Sequence, residues 1–255
     1  MSQSRHITPS DSGAADANRV VWMPSQFRRE PKTWREKRLR ERAQTVVREY
    51  SEGEDLTNAL THGIGTALSI AALVIMLVTA GHHGGGVRTI AALLFGVPMI
   101  AQFCLSTLHH AIQADAPRRV LRVLDRCAAY VFIAGAYSPF CLLVLPATIG
   151  RPLLIGAWVV AAAGVAFETF WTYRPRWLTA LVYLVMGWIM ALFIPQLLAG
   201  LALPGFVLLL VAGACYSAGA VFYCIKQVPY FHLVFHVLTL AASICLFLSV
   251  ALYVL

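Results

Sequence analysis

Three histidines, an aspartate and a serine form the most chemically informative set of residues in this sequence. Ser106 and His110 lie one helical turn apart at the end of one apolar segment, and His232 and His236 share this spacing at the start of another. Asp125 lies near the start of a third apolar segment. Ionisable and metal-binding side chains are costly inside a membrane, so such a set indicates a functional site.

The residue types indicate zinc chemistry. Three imidazoles and one open position form the tetrahedral arrangement of a catalytic zinc site. We therefore predict that His110, His232 and His236 bind zinc, which would activate water for nucleophilic attack at neutral pH. Asp125 would hold that water or accept its proton. Ser106 would orient the same water or donate a hydrogen bond to a developing oxyanion.

The composition indicates an integral membrane protein. The 255 residues are 59% hydrophobic and 13% charged, with a mean hydropathy of +0.70. A soluble domain would carry about 25% charged residues. Eleven of the 20 Lys and Arg residues lie before residue 50, and three acidic residues follow Asp55. We infer a polar, basic cytoplasmic tail over residues 1–50 and a membrane domain over residues 51–255.

The tail has two parts. Residues 1–30 carry few large apolar side chains, which predicts disorder. Residues 31–50 have a helical period with Arg and Glu on one face, which is typical of a helix on a membrane surface and equally of a solvated helix. We expect the basic residues to contact anionic lipid headgroups rather than nucleic acid.

The apolar body predicts an all-α bundle of seven transmembrane helices. A bilayer core about 30 Å thick requires roughly 20 apolar helical residues. The sequence predicts spans at about 57–79, 89–110, 121–145, 152–172, 177–198, 204–225 and 231–254. Because the connections are short, neighbouring helices should pack antiparallel. Pro98, Pro139 and Pro195 lie inside spans, where kinks are expected.

The distribution of cations predicts the orientation. If the N-terminus is cytoplasmic, every Lys and Arg residue except Arg88 and Arg151 lies on the inner side of the membrane. The C-terminus would then lie outside, in a multi-pass protein of the plasma (inner) membrane. This orientation brings the five candidate site residues to the cytoplasmic leaflet, although they did not enter the charge count.

Four stretches carry a family resemblance: LTNALTHGIGTALSI (56–70), LSTLHHA (105–111), LDRCAAYVFIAGAYSPF (124–140) and YFHLVFHVL (230–238). Together they resemble the hemolysin III group of the progestin-and-adipoQ-receptor family, which comprises seven-helix membrane proteins related to alkaline ceramidases. The resemblance extends over about residues 52–255.

The resemblance implies specific roles at the site. His110, His232 and His236 would be the direct zinc ligands, and Asp125 and Ser106 would contact the bound water. One position departs from the family pattern, because this chain reads LHH where the family usually reads LYH. His109 points about 100° away from His110 around the helix, so we assign His110 as the ligand and His109 as its less favoured substitute.

Two further polar residues fall near the same side of the membrane. His62, in a THGIG motif that also resembles the family pattern, would line a cavity and transfer protons, or form a hydrogen bond between helices. Glu168 would snorkel, pair with Arg174 or Arg176, or take part in catalysis.

Four functions remain open at this stage. The first is a zinc-dependent hydrolase acting on a lipid amide or ester, with membrane lipid as its partner. The second is a receptor or membrane-homeostasis protein in which zinc is structural. A cytolytic pore former has support from the family name only. A proton or ion transporter is disfavoured because the outer halves of the spans carry almost no ionisable residues.

Overall fold

The computed structural model describes residues 33–34, 50–83, 85–171, 175–225 and 227–255. Within these ranges, seven helical stretches are long and apolar enough to cross a membrane. The predicted all-α, seven-helix architecture is therefore confirmed. Most of the tail over residues 1–50, including most of its predicted surface helix, lies outside the described residues.

The seven spans are formed by eight α-helices and one short 3₁₀ segment, as counted over the described residues. The helices are α1 (Glu52–His82), α2 (Gly86–Ala111), α3 (Asp115–Leu143), α4 (Ala147–Phe170), α5 (Arg176–Trp188), α6 (Ile194–Gly200), α7 (Leu203–Cys224) and α8 (Phe231–Tyr253). The 3₁₀ segment Ile189–Phe193 joins α5 to α6, and these three pieces together form the fifth span.

Three helices begin five or six residues earlier than the apolar pattern predicts. The spans expected to start at about 57, 121 and 152 begin at Glu52, Asp115 and Ala147. Hydropathy marks where a helix enters the hydrocarbon layer, whereas the backbone helix continues into the polar interface. The earlier starts place Asp55 and Arg118 inside helices, and both contribute to the site.

The start of α1 is fixed by a capping box that also holds the last loop. Ser51 Oγ accepts a hydrogen bond from the Glu54 backbone N–H at 3.2 Å, and the Glu54 carboxylate accepts one from the Ser51 N–H at 3.0 Å. The other carboxylate oxygen of Glu54 accepts a hydrogen bond from the Tyr230 N–H at 2.7 Å. Tyr230 has a left-handed backbone (φ 62°) and precedes α8. These bonds hold the starts of α1 and α8 together.

The helices form a bundle in which most sequence neighbours pack against one another. The pairs α1/α2, α2/α3, α3/α4 and α7/α8 are in contact along the chain, and α8 also packs against α1 and α3. The first part of the fifth span, α5, packs against α3 and α7. At one end of the bundle, α1, α3, α5 and α8 begin and α2, α4 and α7 end. We call this the site end.

The fifth span is interrupted where α5 gives way to the 3₁₀ segment. The break would leave backbone groups without helical partners, and Tyr137 of α3 satisfies several of them. Its single hydroxyl proton is shared between the carbonyls of Met186 and Gly187, and its oxygen accepts a hydrogen bond from the Met190 N–H at 3.2 Å. Pro195, where we expected a kink, lies in the first turn of α6, just after the 3₁₀ segment.

Candidate metal centre

The three histidines predicted to bind zinc meet at the site end. His110 lies in the last turn of α2, whereas His232 and His236 lie one turn apart at the start of α8. One ring nitrogen from each lies within 4.8 Å of those of the other two. The Nε2 atoms of His232 and His236 are 3.0 Å apart. Helices distant in sequence thus bring three possible metal ligands to one point.

Asp55 holds the ring of His110 in place. The Nδ1 atom of His110 lies 2.9 Å from Asp55 Oδ1, and both side chains are almost fully buried. The other carboxylate oxygen of Asp55 accepts a hydrogen bond from Arg118 Nη2 at 2.6 Å. Arg118 is also held by Gln113, whose side-chain oxygen accepts a hydrogen bond of 2.9 Å. A carboxylate behind a histidine fixes its tautomer and orientation, an arrangement common in metal sites.

The ring nitrogens of this group fit a metal ion. Among the described residues, His110 Nε2 is buried without a hydrogen-bond partner, and the Nε2 atoms of His232 and His236 face each other. Zinc bound to nitrogen at about 2.0–2.1 Å places its ligands roughly 3.3–3.4 Å apart. The three ring nitrogens, which all lie within 4.8 Å of one another, are near such separations. The donor set of three neutral imidazoles is one that zinc prefers.

Asp125 lies beside this group, in the third turn of α3. Gln102 Nε2 of α2 donates a hydrogen bond to Asp125 Oδ1 at 3.1 Å. Ser106, one turn further along α2, interacts with the same carboxylate. Both Asp125 and Ser106 line the cavity described below. The structure therefore places the two residues predicted to act in catalysis next to each other.

His62 packs directly against the metal-capable group. Its ring stacks on that of His236 with centroids 3.7 Å apart, and it meets Phe103 edge-on. Among the described residues, neither ring nitrogen of His62 has a hydrogen-bond partner, nor does the side chain of the buried Asn58 one turn earlier. His62 also lines the cavity, and its predicted part in proton transfer stays a prediction.

His109 and Tyr50 lie on the edges of the site. The ring of His109 is 4.8 Å from that of His110 and lines the cavity, but its nitrogens are not part of the group that converges on one point. Tyr50 stacks on His232, with ring centroids 4.5 Å apart. Its hydroxyl accepts a hydrogen bond of 2.7 Å from Arg176 Nη2, so α5 is joined to the site through this tyrosine.

Glu168 lies buried at the end of α4, beside an arginine of α3. Its side chain is fully buried rather than snorkelling, and Glu168 Oε1 lies 3.8 Å from Arg126 Nε. Of the two expected partners, Arg176 donates hydrogen bonds to Tyr50 and to the Tyr223 carbonyl, and Arg174 lies outside the described residues. Because α4 packs against α3, Glu168 lies near an arginine of that helix, and the expected pairing with Arg174 stays a prediction.

A narrow cavity of about 270 Å³ extends from the site into the bundle. At the site end its wall includes the polar residues Ser106, Asp125 and His232. Along α3 the wall continues to Phe140, which helical rise places about 27 Å beyond Arg122. Most of the remaining wall is apolar and includes Phe132, Ile133, Ala136, Leu197, Phe206 and Leu246. The cavity thus combines a polar end with a long apolar part.

The fold and site define a seven-helix membrane protein with a metal-capable histidine group at one end of its bundle. Comparison with known sequences adds that the chain belongs to the haemolysin-III-related family, whose profile matches residues 50–247. It is 40% identical over 200 residues to the hemolysin-3 homolog of Bacillus subtilis (strain 168), covering 78% of this chain and 94% of that protein.

Two other relatives support the same assignment. Hemolysin-3 of Bacillus cereus is 38% identical over 202 residues, which cover 79% of this chain and 92% of that protein. The human monocyte to macrophage differentiation factor is 24% identical over 160 residues, which cover 60% of this chain and 66% of that protein. The resemblance to the hemolysin III group is therefore confirmed, together with a distant relationship to the wider receptor family.

The sequence interpretation did not identify Asp55, Arg118, Gln102 and Tyr50 as residues of the site. One signal was available for Asp55, because it precedes His62 by seven residues and therefore lies on the same face of α1. Gln102 similarly precedes Ser106 by one turn on α2. Tyr50 lies before the first span and reaches the site only through the turn at Ser51, which no periodic pattern predicts.

Proposed function

We propose that this protein is a zinc-dependent hydrolase that cleaves an amide or ester bond of a membrane lipid at the cytoplasmic leaflet. The observation that carries the proposal is the adjacency of three metal-capable histidines to the Asp125 carboxylate, at the polar end of an apolar cavity. Zinc held by three histidines would supply a nucleophile near neutral pH and polarise the carbonyl of the substrate.

The residues of the chain would perform the remaining tasks. Asp125 would accept the proton of the attacking water, with its carboxylate oriented by Gln102. Ser106 would donate a hydrogen bond to the oxygen that gains charge during attack. His110, held by Asp55, would keep a fixed position throughout. The apolar part of the cavity would bind the acyl chain, with its amide or ester bond near the polar end.

The location supports a lipid over a soluble substrate. Helix ends lie at the membrane interface, and the acyl linkages of lipids rest just below the headgroups. We further propose that the protein resides in the plasma (inner) membrane with the site end toward the cytoplasm. In this arrangement the basic tail would contact anionic headgroups on the same side.

The direct test is metal content, measured by elemental mass spectrometry on the purified full chain. We expect about one zinc per chain in the wild type and almost none in the His232→Ala/His236→Ala variant. The matched control is His82→Ala/His83→Ala, which removes two exposed histidines at the opposite end of the bundle. Equal zinc in the wild type and the His232/His236 variant would refute the site assignment.

A receptor or membrane-homeostasis function with structural zinc is the second candidate. The observation that favours it is that the histidine group joins α2 to α8, while Asp55 adds α1. A metal at this junction would stabilise the bundle without any reaction. Under both functions, chelation should therefore lower the thermal unfolding temperature of the wild type.

Asp125→Asn separates the two functions. Asp125 is not one of the three convergent histidines, so the variant should keep its zinc and its thermal stability under either function. Under the hydrolase proposal it should lose nearly all hydrolysis of lipid amides and esters, because general base catalysis is worth roughly 10²–10⁴-fold in rate. Structural zinc is favoured if the wild type shows no detectable hydrolysis and the Asp125→Asn variant supports the same cellular phenotype as the wild type.

A further inference from the structure

The metal-capable histidines differ in what holds their rings. His110 is fixed by a hydrogen bond of 2.9 Å between its Nδ1 atom and the Asp55 carboxylate. The Nε2 atom of His232 faces that of His236, and its other ring nitrogen, Nδ1, is buried without a hydrogen-bond partner among the described residues. A metal-binding histidine is usually oriented by a hydrogen bond from its second nitrogen. The orientation of His232 must therefore be constrained in another way.

The ring of Tyr50 supplies such a constraint by stacking. It lies almost parallel to the His232 ring, with centroids 4.5 Å apart and an interplanar angle of 19°. The other four rings described around His232 are inclined to it by 39° to 58°, and they belong to His110, Tyr223, Phe235 and His236. The last side-chain torsion of histidine has a broad energy minimum. A ring packed along the face of His232 narrows this torsion.

Tyr50 is itself held at both ends. Arg176 Nη2 of α5 donates a hydrogen bond of 2.7 Å to the Tyr50 hydroxyl, and the guanidinium carbon lies 5.5 Å from the centre of the Tyr50 ring. The next residue, Ser51, is the N-cap of α1 and is fixed by its capping box with Glu54. The backbone of Tyr50 is thus anchored by α1 and its hydroxyl by α5.

Two connections of the same plan reach the histidine group, each from an arginine through a residue near the start of α1. The first joins Arg118 through Asp55 to His110, and the second joins Arg176 through Tyr50 to His232. The three histidines belong to α2 and α8. The second connection therefore links α5, which lines part of the cavity, to a metal-capable residue of α8.

We propose that Tyr50 is a positioning residue that orients His232 for metal binding and is held in place by Arg176. The proposal rests on the metal centre of the proposed function, although not on hydrolysis. The aromatic ring of Tyr50, rather than its bulk, sets the direction in which His232 Nε2 points. Without that ring His232 would remain present but free to turn, so the metal would bind more weakly and with altered ligand geometry.

The test compares substitutions of Tyr50 in the purified full chain in detergent. Tyr50→Phe keeps the ring that stacks on His232, whereas Tyr50→Leu keeps an apolar side chain that cannot stack. In competition with a chelator of known affinity, we expect Tyr50→Leu to weaken zinc binding about tenfold, the low end of the usual effect of removing a group that orients a metal ligand. Tyr50→Phe should stay close to the wild type. Tyr50→Met, a second ringless variant with a more adaptable side chain, should behave like Tyr50→Leu.

Cobalt absorption separates positioning from a purely structural role. Co²⁺ bound in place of zinc absorbs visible light with an intensity that depends on the geometry of its ligands. We expect the spectra of the two ringless variants to differ from that of the wild type, and the spectrum of Tyr50→Phe to match it. The control is Trp171→Leu, which removes an exposed ring at the same end of the bundle but outside the cavity wall. It should keep the affinity and spectrum of the wild type.

Wild-type zinc affinity and cobalt spectra in the ringless variants would overturn the proposed role of Tyr50. Equal changes in Tyr50→Phe and Tyr50→Leu would also overturn it, because the ring would then not be what holds His232. A lower unfolding temperature with an unchanged spectrum would leave Tyr50 a structural role only. Failure of the hydrolase function is distinguishable, since a wild type that binds zinc but cleaves no lipid would leave these results intact. A wild type that binds neither metal would refute the metal centre and the role of Tyr50 together.

Discussion

Asp55 shows how a single carboxylate can serve several elements of this site. It lies in the first turn of α1, where an acidic residue usually complements the helix dipole. Here it is 1% exposed, and it bridges His110 of α2 and Arg118 of α3. A buried carboxylate with two such partners orients the histidine and compensates the buried arginine. Its loss should therefore affect metal binding more than helix stability.

We expect Asp55→Asn to reduce the zinc affinity of the full chain by about 10- to 100-fold, the usual effect of removing a residue that orients a metal ligand. The measurement is zinc retention in competition with a chelator of known affinity. The control is Glu52→Gln, which removes an exposed acidic residue from the same first turn and should retain zinc like the wild type. Equal retention in all three proteins would show that Asp55 does not position His110.

The residues of the site differ in how well the sequence predicts them. Ser106 and His110, and His232 and His236, were predictable because helical spacing places each pair on one face. Their convergence with Asp125 followed from the direction of each span. The contact between Asp55 and His110 joins residues 55 positions apart, and it depends on how closely α1 and α2 approach. No periodic pattern in one helix encodes that distance.

At the level of elements, the interruption of the fifth span shows a limit of the apolar pattern. Hydropathy predicts one span over 177–198, and the length is close to that observed. It does not predict the 3₁₀ segment, because backbone hydrogen bonds there are completed by Tyr137 from another helix. The same tyrosine lines the cavity next to Gly187 and Met190. The break therefore forms part of the cavity wall, and Tyr137 provides hydrogen-bond partners there that lipid could not provide.

The close packing of α2 against α3 sets the distance between the Ser106/His110 face and Asp125. A Cβ atom added at Gly135 would lie 2.4 Å from the backbone oxygen of Leu94, so neither helix could accommodate it without moving. We expect Gly135→Ala to destabilise the protein by about 1–3 kcal/mol, the usual cost of overpacking. The measurement is the shift in unfolding midpoint in detergent.

Gly156→Ala provides the matched control for this helix-packing prediction. It makes the same substitution in α4, at an exposed position where an added Cβ would have no atom within 4 Å. Its stability should change by less than about 1 kcal/mol, and the change should be stabilising because alanine favours helix over glycine. Equal effects of the two substitutions would show that close helix approach does not explain the role of Gly135.

At the scale of the whole molecule, polar and apolar residues are distributed unequally between the two ends of the bundle. Among the described cations of the spans, five arginines lie toward the site end: Arg118, Arg119, Arg122, Arg126 and Arg176. Arg88 and Arg151 lie toward the opposite end, where Arg88 donates hydrogen bonds to the backbone oxygens of Val254 and Leu255. This asymmetry connects the site to the predicted membrane orientation, since some of the arginines that predict a cytoplasmic site end also line the cavity.

The seven spans among the described residues place the start of α1 and the end of α8 on opposite sides of the membrane, and the arginine distribution predicts which is which. We expect alkaline phosphatase, which is active only outside the cytoplasm, to be inactive when fused after Ile112 and active when fused after Leu255. The reverse pattern should hold for green fluorescent protein. Because α2 ends and α8 begins at the site end, this result would place the histidine group at the cytoplasmic leaflet. Active phosphatase after Ile112 would instead place the site at the outer leaflet, where its substrate would come from a different pool of lipids.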